Sequence, residues 1–209
     1  MTKASNKNVK KKFFPVSIPI LNKETELYGS DIKEFEGKYI KYDLTNILKG
    51  KAVELKLMVI LDKKELAATP KEIKIFSSYL RRAARKGTDY AEDSFFAQCS
   101  DHRVKVKPFM VTRKRVPEKT LKGLRQTAKK EITEYFKEKT FEKIVSDIIS
   151  NKIQKELGIK LKKVYPLSAF EIKFLGINDL KEYEKIEQLK KEEKNPQIKK
   201  SEEEIIPEI

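Results

Sequence analysis

The arginines of this chain are confined to one short window. All seven fall between residues 81 and 125, whereas the 40 lysines are spread over the whole sequence. The seven are Arg81, Arg82, Arg85, Arg103, Arg113, Arg115 and Arg125. Lysine supplies a generic positive charge, but the planar guanidinium grips phosphate through two parallel hydrogen bonds and stacks on bases. The window therefore predicts the centre of an RNA- or DNA-contacting surface. The alternatives are a chance drift in composition or ion pairing of the arginines with Glu92 and Asp93 within the chain.

Few residues have types and spacing suited to catalysis. Glu92 and Asp93 could attract a divalent cation, but a nuclease needs several converging carboxylates, so capping or salt bridging is favoured. Cys99 and His102 lie three residues apart, yet the chain has no other cysteine or histidine to complete a zinc site, which favours a small buried thiol and a turn histidine. Ser168 lacks a neighbouring base and an elbow motif. The seven glycines are too dispersed for a phosphate loop. The sequence therefore predicts a binding protein and not an enzyme, with no cofactor and no metal.

The overall charge points to a polyanionic partner. The 209 residues carry 47 Lys and Arg against 32 Asp and Glu, a net charge of +15. Residues 103–130 hold eleven basic residues and one acid, so more than half of the excess lies in 28 positions. Residues 181–209 carry seven lysines and nine acids, a net charge of −2. Such a distribution favours nucleic acid over an anionic membrane.

Other classes of protein fit the composition poorly. Leu, Ile, Val and Phe make up about 28% of the residues, above the roughly 20% below which chains fail to form a core. No stretch approaches the ~18 apolar residues of a membrane span, and the basic N-terminus has no apolar run behind it, unlike a secretory signal. One cysteine cannot form a disulfide within the chain, which favours the reducing cytoplasm.

The candidate RNA-binding residues combine the arginine window with the basic N-terminus and the lysines near the arginines. They are Lys10, Lys11, Lys12, Arg81, Arg82, Arg85, Lys86, Arg103, Lys105, Lys107, Arg113, Lys114, Arg115, Lys119, Lys122, Arg125 and Lys129. Aromatic residues interleave with them and could stack on bases, although core packing is favoured for most. These are Tyr79, Tyr90, Phe95, Phe96 and Phe109.

Periodicity and turn signals place these residues on an α+β chain. Predicted strands cover 13–20, 37–42, 51–61, 159–164 and 170–175, and apolar residues in 51–61 alternate with Glu54 and Lys56. Residues 92–99 and 103–113 form a predicted hairpin with its turn near 100–102, in which Pro108 marks an edge or a bulge. In the second arm, Val104 and Val106 alternate with Arg103, Lys105 and Lys107, which predicts one packed face and one basic face.

Predicted helices cover 69–86, starting at Thr69 and Pro70, then 116–139, 140–158 with Thr140 as cap and Gly158 as end, and 178–194. The first two have apolar stripes at helical spacing. These are Ile73, Phe76, Leu80 and Ala83 or Ala84 in the first, and Leu121, Leu124, Ala128, Ile132 and Tyr135 or Phe136 in the second. Three regions follow: a basic extended arm over 1–12, one globular α+β domain over 13–177, and a peripheral helix with a disordered acidic tail over 178–209.

Several segments resemble the S-three-A-e (S3Ae) family of archaeal and eukaryotic small-subunit ribosomal proteins, also called eukaryotic-type small-subunit protein one. They are RRAARKGT at 81–88 with Asp93, Ser94 and Phe95, RVKVKPF at 103–109 running into TRKR at 112–115, LKKVYPL at 161–167 and GKYIKYDL at 37–44. The resemblance covers about 10–177, and the compact length is similar to archaeal members.

The resemblance implies an antiparallel β-barrel-like sheet flanked by α-helices. It also implies a structural constituent of the small ribosomal subunit, located in the cytoplasm on the platform near the mRNA exit. The expected partners are the 3′ region of the small-subunit rRNA, neighbouring ribosomal proteins of the platform and nearby mRNA. The residues by themselves leave two alternatives: a free-standing RNA-binding translation or regulatory factor, and a nucleic-acid enzyme using Glu92 and Asp93.

Overall fold

The structure, a computed structural model, describes residues 11–177 apart from 49, 63 and 64. Lys10, the predicted helix over 178–194 and the predicted acidic tail lie outside the described residues. The strands are β1 Lys12–Ile18, β2 Lys23–Gly29, β3 Tyr39–Asp43, β4 Val53–Asp62, β5 Glu65–Ile75, β6 Tyr90–Glu92, β7 Phe95–Gln98, β8 Arg103–Thr112 and β9 Leu167–Ile177. The helices are α1 Ser77–Ala83, α2 Glu118–Lys137, α3 Phe141–Ile149 and α4 Lys152–Leu161. The α+β class is confirmed.

Across the described residues, the nine strands form one branched and mainly antiparallel sheet. By its strand pairings this is an open sheet. β5 lies near its centre, because it pairs with β4 along one side and with both β1 and β9 along the other. Further out, β2 pairs with β1, β3 pairs with β4, and β8 pairs with β9. β8 in turn pairs with β7 through its first half and with β6 through its second half. β1 and β5 run parallel, and the other pairs are antiparallel.

Strand β4 confirms the predicted alternation. Val53, Leu55, Leu57 and Val59 are buried at 2% exposure or less. The polar residues between them lie on the opposite face, which is the period of two expected for a strand covered on one side. The predicted strand over 37–42 is also present, shifted to β3.

The predicted helix over 69–86 is wrong in its first half. Residues 65–75 form β5 instead, and the helix begins only at Ser77. β5 pairs with β4 along its whole length, and a bulge opposite Lys56 and Leu57 accommodates Pro70. The apolar residues of this segment therefore alternate along a strand with a bulge and do not form a helical stripe. Ile73 and Ile75, two residues apart, are both buried.

The hairpin prediction is confirmed, with one subdivision. Arg103–Thr112 forms β8, but its partner arm is split at Asp93 and Ser94 into β6 and β7. Pro108 lies at a register shift between β8 and β9, as the bulge prediction states. β8 is an interior strand and not an edge, because β9 pairs along its other side.

The helices bury regular apolar stripes against the sheet. α2 packs against β6 and β7, α3 against β5, and α4 against β9. The buried stripe of α2 is Leu121, Leu124, Ala128, Ile132 and Phe136, as predicted. Thr140 occupies the N-cap of α3 without a side-chain hydrogen bond. Among the described residues, no helix is long and apolar enough to cross a membrane.

Three predictions about residues 140–164 are wrong. The predicted helix over 140–158 is broken at Ser150 and Asn151, where Asn151 adopts a left-handed conformation with φ of +57°. Gly158 does not end a helix but lies inside α4, and residues 159–161 continue that helix instead of starting a strand. The reason is the spacing of the buried residues Ile153, Leu157 and Leu161, since steps of four place all three on one helical face.

Candidate nucleic-acid interface

A buried threonine joins two basic loops that are far apart in the sequence. The Thr112 hydroxyl accepts a hydrogen bond from the Asp89 amide at 3.0 Å, and the Thr112 amide donates to the Asp89 carbonyl at 2.9 Å. The same hydroxyl lies 2.9 Å from the Asp89 carbonyl and 2.7 Å from the Lys114 carbonyl, either of which can accept its proton. The Asp89 carboxylate accepts from the Val116 amide at 2.8 Å. These contacts, called the Asp89–Thr112 clamp below, fix the loop after α1 against the loop after β8.

The clamp brings together five predicted site residues, which we call the basic loops. They are Arg85, Lys86, Arg113, Lys114 and Arg115. All five are exposed, and among the described residues no carboxylate lies within salt-bridge distance of any of them. These five cations are not ion-paired and outnumber the single Asp89 carboxylate between the two loops, so the arrangement favours an anionic ligand. Arg81 and Arg82 are also exposed, on the last turn of α1.

Three more predicted cations lie on one face of β8. Arg103, Lys105 and Lys107 alternate with the buried residues Val104 and Val106. Such alternation separates successive cations by ~7 Å along the strand. The predicted pattern of one packed face and one basic face is therefore confirmed.

Aromatic rings accompany these cations. The Arg103 guanidinium carbon lies 5.0 Å and the Lys105 amino nitrogen 5.7 Å from the centre of the Phe96 ring. The Lys107 amino nitrogen lies 5.4 Å from the centre of the Phe174 ring. We call this set of residues, together with Gly176, the aromatic face. Phe174 was not predicted as a site residue because it belongs to β9, far from the arginine window in the sequence.

The basic residues of α2 are less uniform than the sequence predicts. Lys119 and Lys122 are exposed, but Arg125 forms a salt bridge with Glu118, with 2.9 Å between Nη1 and Oε1. Lys129 places its amino nitrogen 5.9 Å from the centre of the Phe95 ring. Arg125 therefore has a partner within its own helix, seven residues away.

The basic arm enters the described structure only at its end. Lys11 lies 5.9 Å from the centre of the Tyr28 ring, and β1 begins at Lys12, one residue before the predicted domain start. Tyr28 stacks in turn against Phe13, with 5.0 Å between ring centres, and both rings are exposed. No sequence motif marks this aromatic pair, because the register between β1 and β2 creates it.

The candidate stacking residues divide according to their burial. Phe95 and Phe109 are buried, and Tyr79 is half-buried, so these three contribute to packing. Phe96 and Tyr90 are exposed at 45% and 54%. Tyr90 packs against Phe109, with ring centres 5.6 Å apart. Core packing is thus the role of most of them, as predicted.

The residues considered for catalysis have structural roles. Glu92 forms a salt bridge with Lys173 at 2.9 Å, and Asp93 accepts a hydrogen bond from the Ser94 amide at 2.7 Å. Cys99 is buried, and burial together with nearby Asp101 raises the pKa of its thiol to about 11. In the part of the chain that the structure describes, no group of three or more histidines, cysteines or carboxylates is placed to hold a metal ion.

A buried ionic cluster joins three elements on the helix side of the sheet. The Lys51 amino nitrogen lies 2.6 Å from a Glu171 carboxylate oxygen and 2.8 Å from the Asn151 side-chain oxygen. The side chains of Lys51 and Glu171 are only 9% and 13% exposed. Gln154 donates weakly to the same carboxylate at 3.4 Å. This cluster fixes the start of α4 against β9.

Comparison with known proteins identifies the class. The model of the Ribosomal S3Ae family matches residues 2–175, which include nearly all of the fold described above. Proteins named small ribosomal subunit protein eS1 are similar to this chain in three archaea. The chain is 32% identical over 99 residues to the protein of Methanothermobacter thermautotrophicus, covering 47% of this chain and 51% of that protein. It is 32% identical over 102 residues to that of Nanoarchaeum equitans, covering 48% and 52%, and 28% identical over 96 residues to that of Haloarcula marismortui, covering 46% and 45%.

These matches define a ribosomal protein and not an enzyme. The chain belongs to the Ribosomal S3Ae family. The resemblance found in the sequence, including its archaeal character, is thereby confirmed. The matched segment spans about half the length of the curated relatives.

Proposed function

We propose that this chain is a structural component of the small ribosomal subunit and binds ribosomal RNA through its exposed lysines and arginines. One observation carries the RNA part of the proposal: the basic loops are exposed, held together by the Asp89–Thr112 clamp and free of carboxylates within salt-bridge distance among the described residues. In a family of ribosomal proteins, the anion that fits them is the phosphate backbone of rRNA.

The chemistry of the basic loops suits phosphates better than base edges. Arginine grips two phosphate oxygens at once, and such contacts position a protein without reading sequence. The partner is therefore folded rRNA, whose closely spaced phosphates several arginines can reach together. Binding of this kind releases counterions and falls steeply as the salt concentration rises.

The resemblance supports a finer placement. The chain would lie on the platform near the mRNA exit, beside the 3′ region of the small-subunit rRNA and neighbouring ribosomal proteins, in the cytoplasm. The relatives carry the name small ribosomal subunit protein, which supports the assignment to this subunit. The proposed binding of rRNA by the exposed lysines and arginines does not depend on this location within the subunit.

Sedimentation distinguishes a subunit component from a soluble factor. A tagged copy of the full chain, expressed in an archaeal host, is followed through sucrose gradients after washing in high salt. A structural component stays with the small subunit after the wash, because it is held by many contacts and by neighbouring proteins. Release of the chain by the wash, with the subunit intact, would favour the free-standing factor instead.

The salt dependence of binding tests the RNA surface directly. Replacing Arg85, Arg113 and Arg115 together by alanine removes up to three phosphate contacts, each of which contributes roughly 0.7–0.9 to the slope of log K against log salt. The slope should fall by roughly two to three, with weaker binding to an rRNA fragment. A charge-matched control replaces three exposed lysines on other elements, Lys23, Lys33 and Lys143. Equal effects of the two triple variants would mean that net charge alone governs binding and that the surface is misassigned.

A further inference from the structure

The strand register places two aromatic rings and three cations side by side on the aromatic face. Across the sheet, Phe96 pairs with Lys105 and Lys105 with Gly176, while Lys107 pairs with Phe174. Residues paired across antiparallel strands point to the same side of the sheet. Phe96, Lys105, Lys107 and Phe174 therefore share one surface, which spans β7, β8 and β9.

This surface is on the side of β7 away from helix α2. Phe95 is 7% exposed and has the Lys129 amino group of α2 over its ring, whereas its neighbour Phe96 is 45% exposed. Successive residues of a strand point to opposite faces, so Phe96 points away from the helix.

A glycine lets the second ring lie against the sheet. A Cβ atom built on Gly176 would lie 3.0 Å from Cζ and 3.2 Å from Cε1 of Phe174, so the ring occupies the space that a side chain would fill. Gly176 and Phe174 are two residues apart on β9 and share a face. The absence of a side chain at residue 176 thus positions the ring beside the backbone, with the Lys107 amino group 5.4 Å from its centre.

The cations of this face, Arg103, Lys105 and Lys107, form no ion pair within the part of the chain that the structure describes. Their contacts are with rings, which leave the positive charge available to an anion. The next strand, β5, is not purely basic on this face. Its residue Glu72 pairs with Gly176 of β9 and adds a negative charge.

From this arrangement we infer that the aromatic face binds unpaired RNA, with bases stacked on Phe96 and Phe174 and phosphates held by Arg103, Lys105 and Lys107. Rings that lie on a sheet between alternating cations match a single strand, whose bases present open π-faces and whose phosphates follow at regular intervals. Base-paired RNA hides those faces, so the ligand differs from the folded rRNA bound by the basic loops. The inference rests on the proposed function for the choice of RNA but concerns a separate surface.

The test uses the full chain and an unstructured oligoribonucleotide of about 12 residues that contains 2-aminopurine. Stacking quenches 2-aminopurine fluorescence, so the native chain should both bind and quench. Phe96→Leu keeps an apolar side chain but removes the ring, and we expect roughly 5- to 100-fold weaker binding with loss of quenching. Phe96→Tyr keeps the ring and should restore both. Phe174→Leu repeats the test on the second ring, and thermal melts verify that each variant is folded.

The possible outcomes separate this inference from the proposed function. Phe96→Leu should leave the affinity for a structured rRNA fragment unchanged, while the triple arginine variant weakens it. Equal binding by the Leu and Tyr variants without quenching would overturn the inference, because phosphate attraction would then suffice. Binding of the rRNA fragment without binding of the oligonucleotide would overturn it and leave the proposed function standing. Binding of neither RNA would overturn both. Equal displacement of the oligonucleotide by poly-glutamate at matched charge would show that the face accepts any polyanion, which also contradicts the inference.

Discussion

The Thr112 hydroxyl accepts a hydrogen bond from the amide of Asp89, 23 residues away, with 3.0 Å between oxygen and nitrogen. Thr112 is fully buried at the end of β8, and the residue after it begins the cluster of cations at 113–115. Asp89 follows Arg85 and Lys86 by a few residues. The neutral side chain of Thr112 therefore holds two positively charged loops next to each other at the protein surface.

Removing the Thr112 hydroxyl should destabilise the protein and separate the basic loops. Thr112→Val keeps the shape but leaves the Asp89 amide without its acceptor, which costs about 1–3 kcal/mol in the free energy of unfolding. Affinity for an rRNA fragment should also fall, because the separated loops no longer present their cations to neighbouring phosphates together. Amide hydrogen exchange at Asp89 measures the local effect. Thr112→Ser, which keeps the hydroxyl, should leave that amide protected; fast exchange in the serine variant would contradict the role of the clamp.

Acid should weaken a charged cluster between α2 and α3. Asp147 accepts hydrogen bonds from Lys139 at 2.7 Å and from Tyr135 at 2.8 Å. Burial acts to raise the pKa of Asp147, but these two donors outweigh it and hold the pKa below the ordinary value of 3.8. The stabilisation is therefore complete above pH 3.8 and is lost as the pH falls below it through the lower, folded-state pKa.

Denaturant unfolding of the native chain and of Asp147→Asn between pH 2.5 and 7 measures this contribution. The difference in the free energy of unfolding should be constant at neutral pH and should shrink below pH 4. Lys139 changes in the opposite direction: burial acts to lower its pKa, but contacts with Asp147 and Tyr135 raise it above 10.5, so its share persists below that pH and is lost above it. A difference that stayed constant down to pH 2.5 would contradict the coupling to Asp147.

Cys99 should be unreactive in the native protein. Its side chain is 2% exposed, and its pKa of about 11 leaves roughly a thousandth of the thiol ionised at pH 8. Alkylation by iodoacetamide, followed by mass spectrometry, should be slow in the folded chain and fast in denaturant. Equal rates in the two conditions would show that β7 opens readily or that the thiol is not enclosed.

Replacing one partner of the Lys51–Glu171 ion pair should lower the free energy of unfolding more than replacing both partners. Lys51→Met alone leaves a buried carboxylate without its partner, and we expect a loss of about 3–5 kcal/mol in the free energy of unfolding. Replacing both residues by methionine should be much less costly than the sum of the single changes. Chemical denaturation of the two single variants and the double variant measures the coupling, and additive effects would mean that the pair contributes no coupling energy.

Local patterns in the sequence determined several features of this protein. The alternation in 51–61, the hairpin with its turn at 100–102 and the amphipathic stripe of α2 each depend on neighbouring residues, and the structure has all three. The arginine window and the short motifs around it identified the family, because they depend on residue identity and order. Such patterns could not predict which cations in that window are ion-paired within the chain. Arg125, for example, pairs with Glu118.

Only the tertiary structure decided which distant residues meet. Thr69 and Pro70 are good helix-starting residues, yet pairing with β4 over ten residues makes this segment a strand, because many long-range contacts outweigh a local preference. Phe174 joins Lys107 only through the register between β8 and β9, and Asp89 meets Thr112 only when β6 lies beside the end of β8. The sequence alone thus determined that the chain is basic, where its cations are concentrated and to which family it belongs. The assembly of those cations into the basic loops and the aromatic face depended on strand register and bulges, which arise from contacts between residues far apart in the chain.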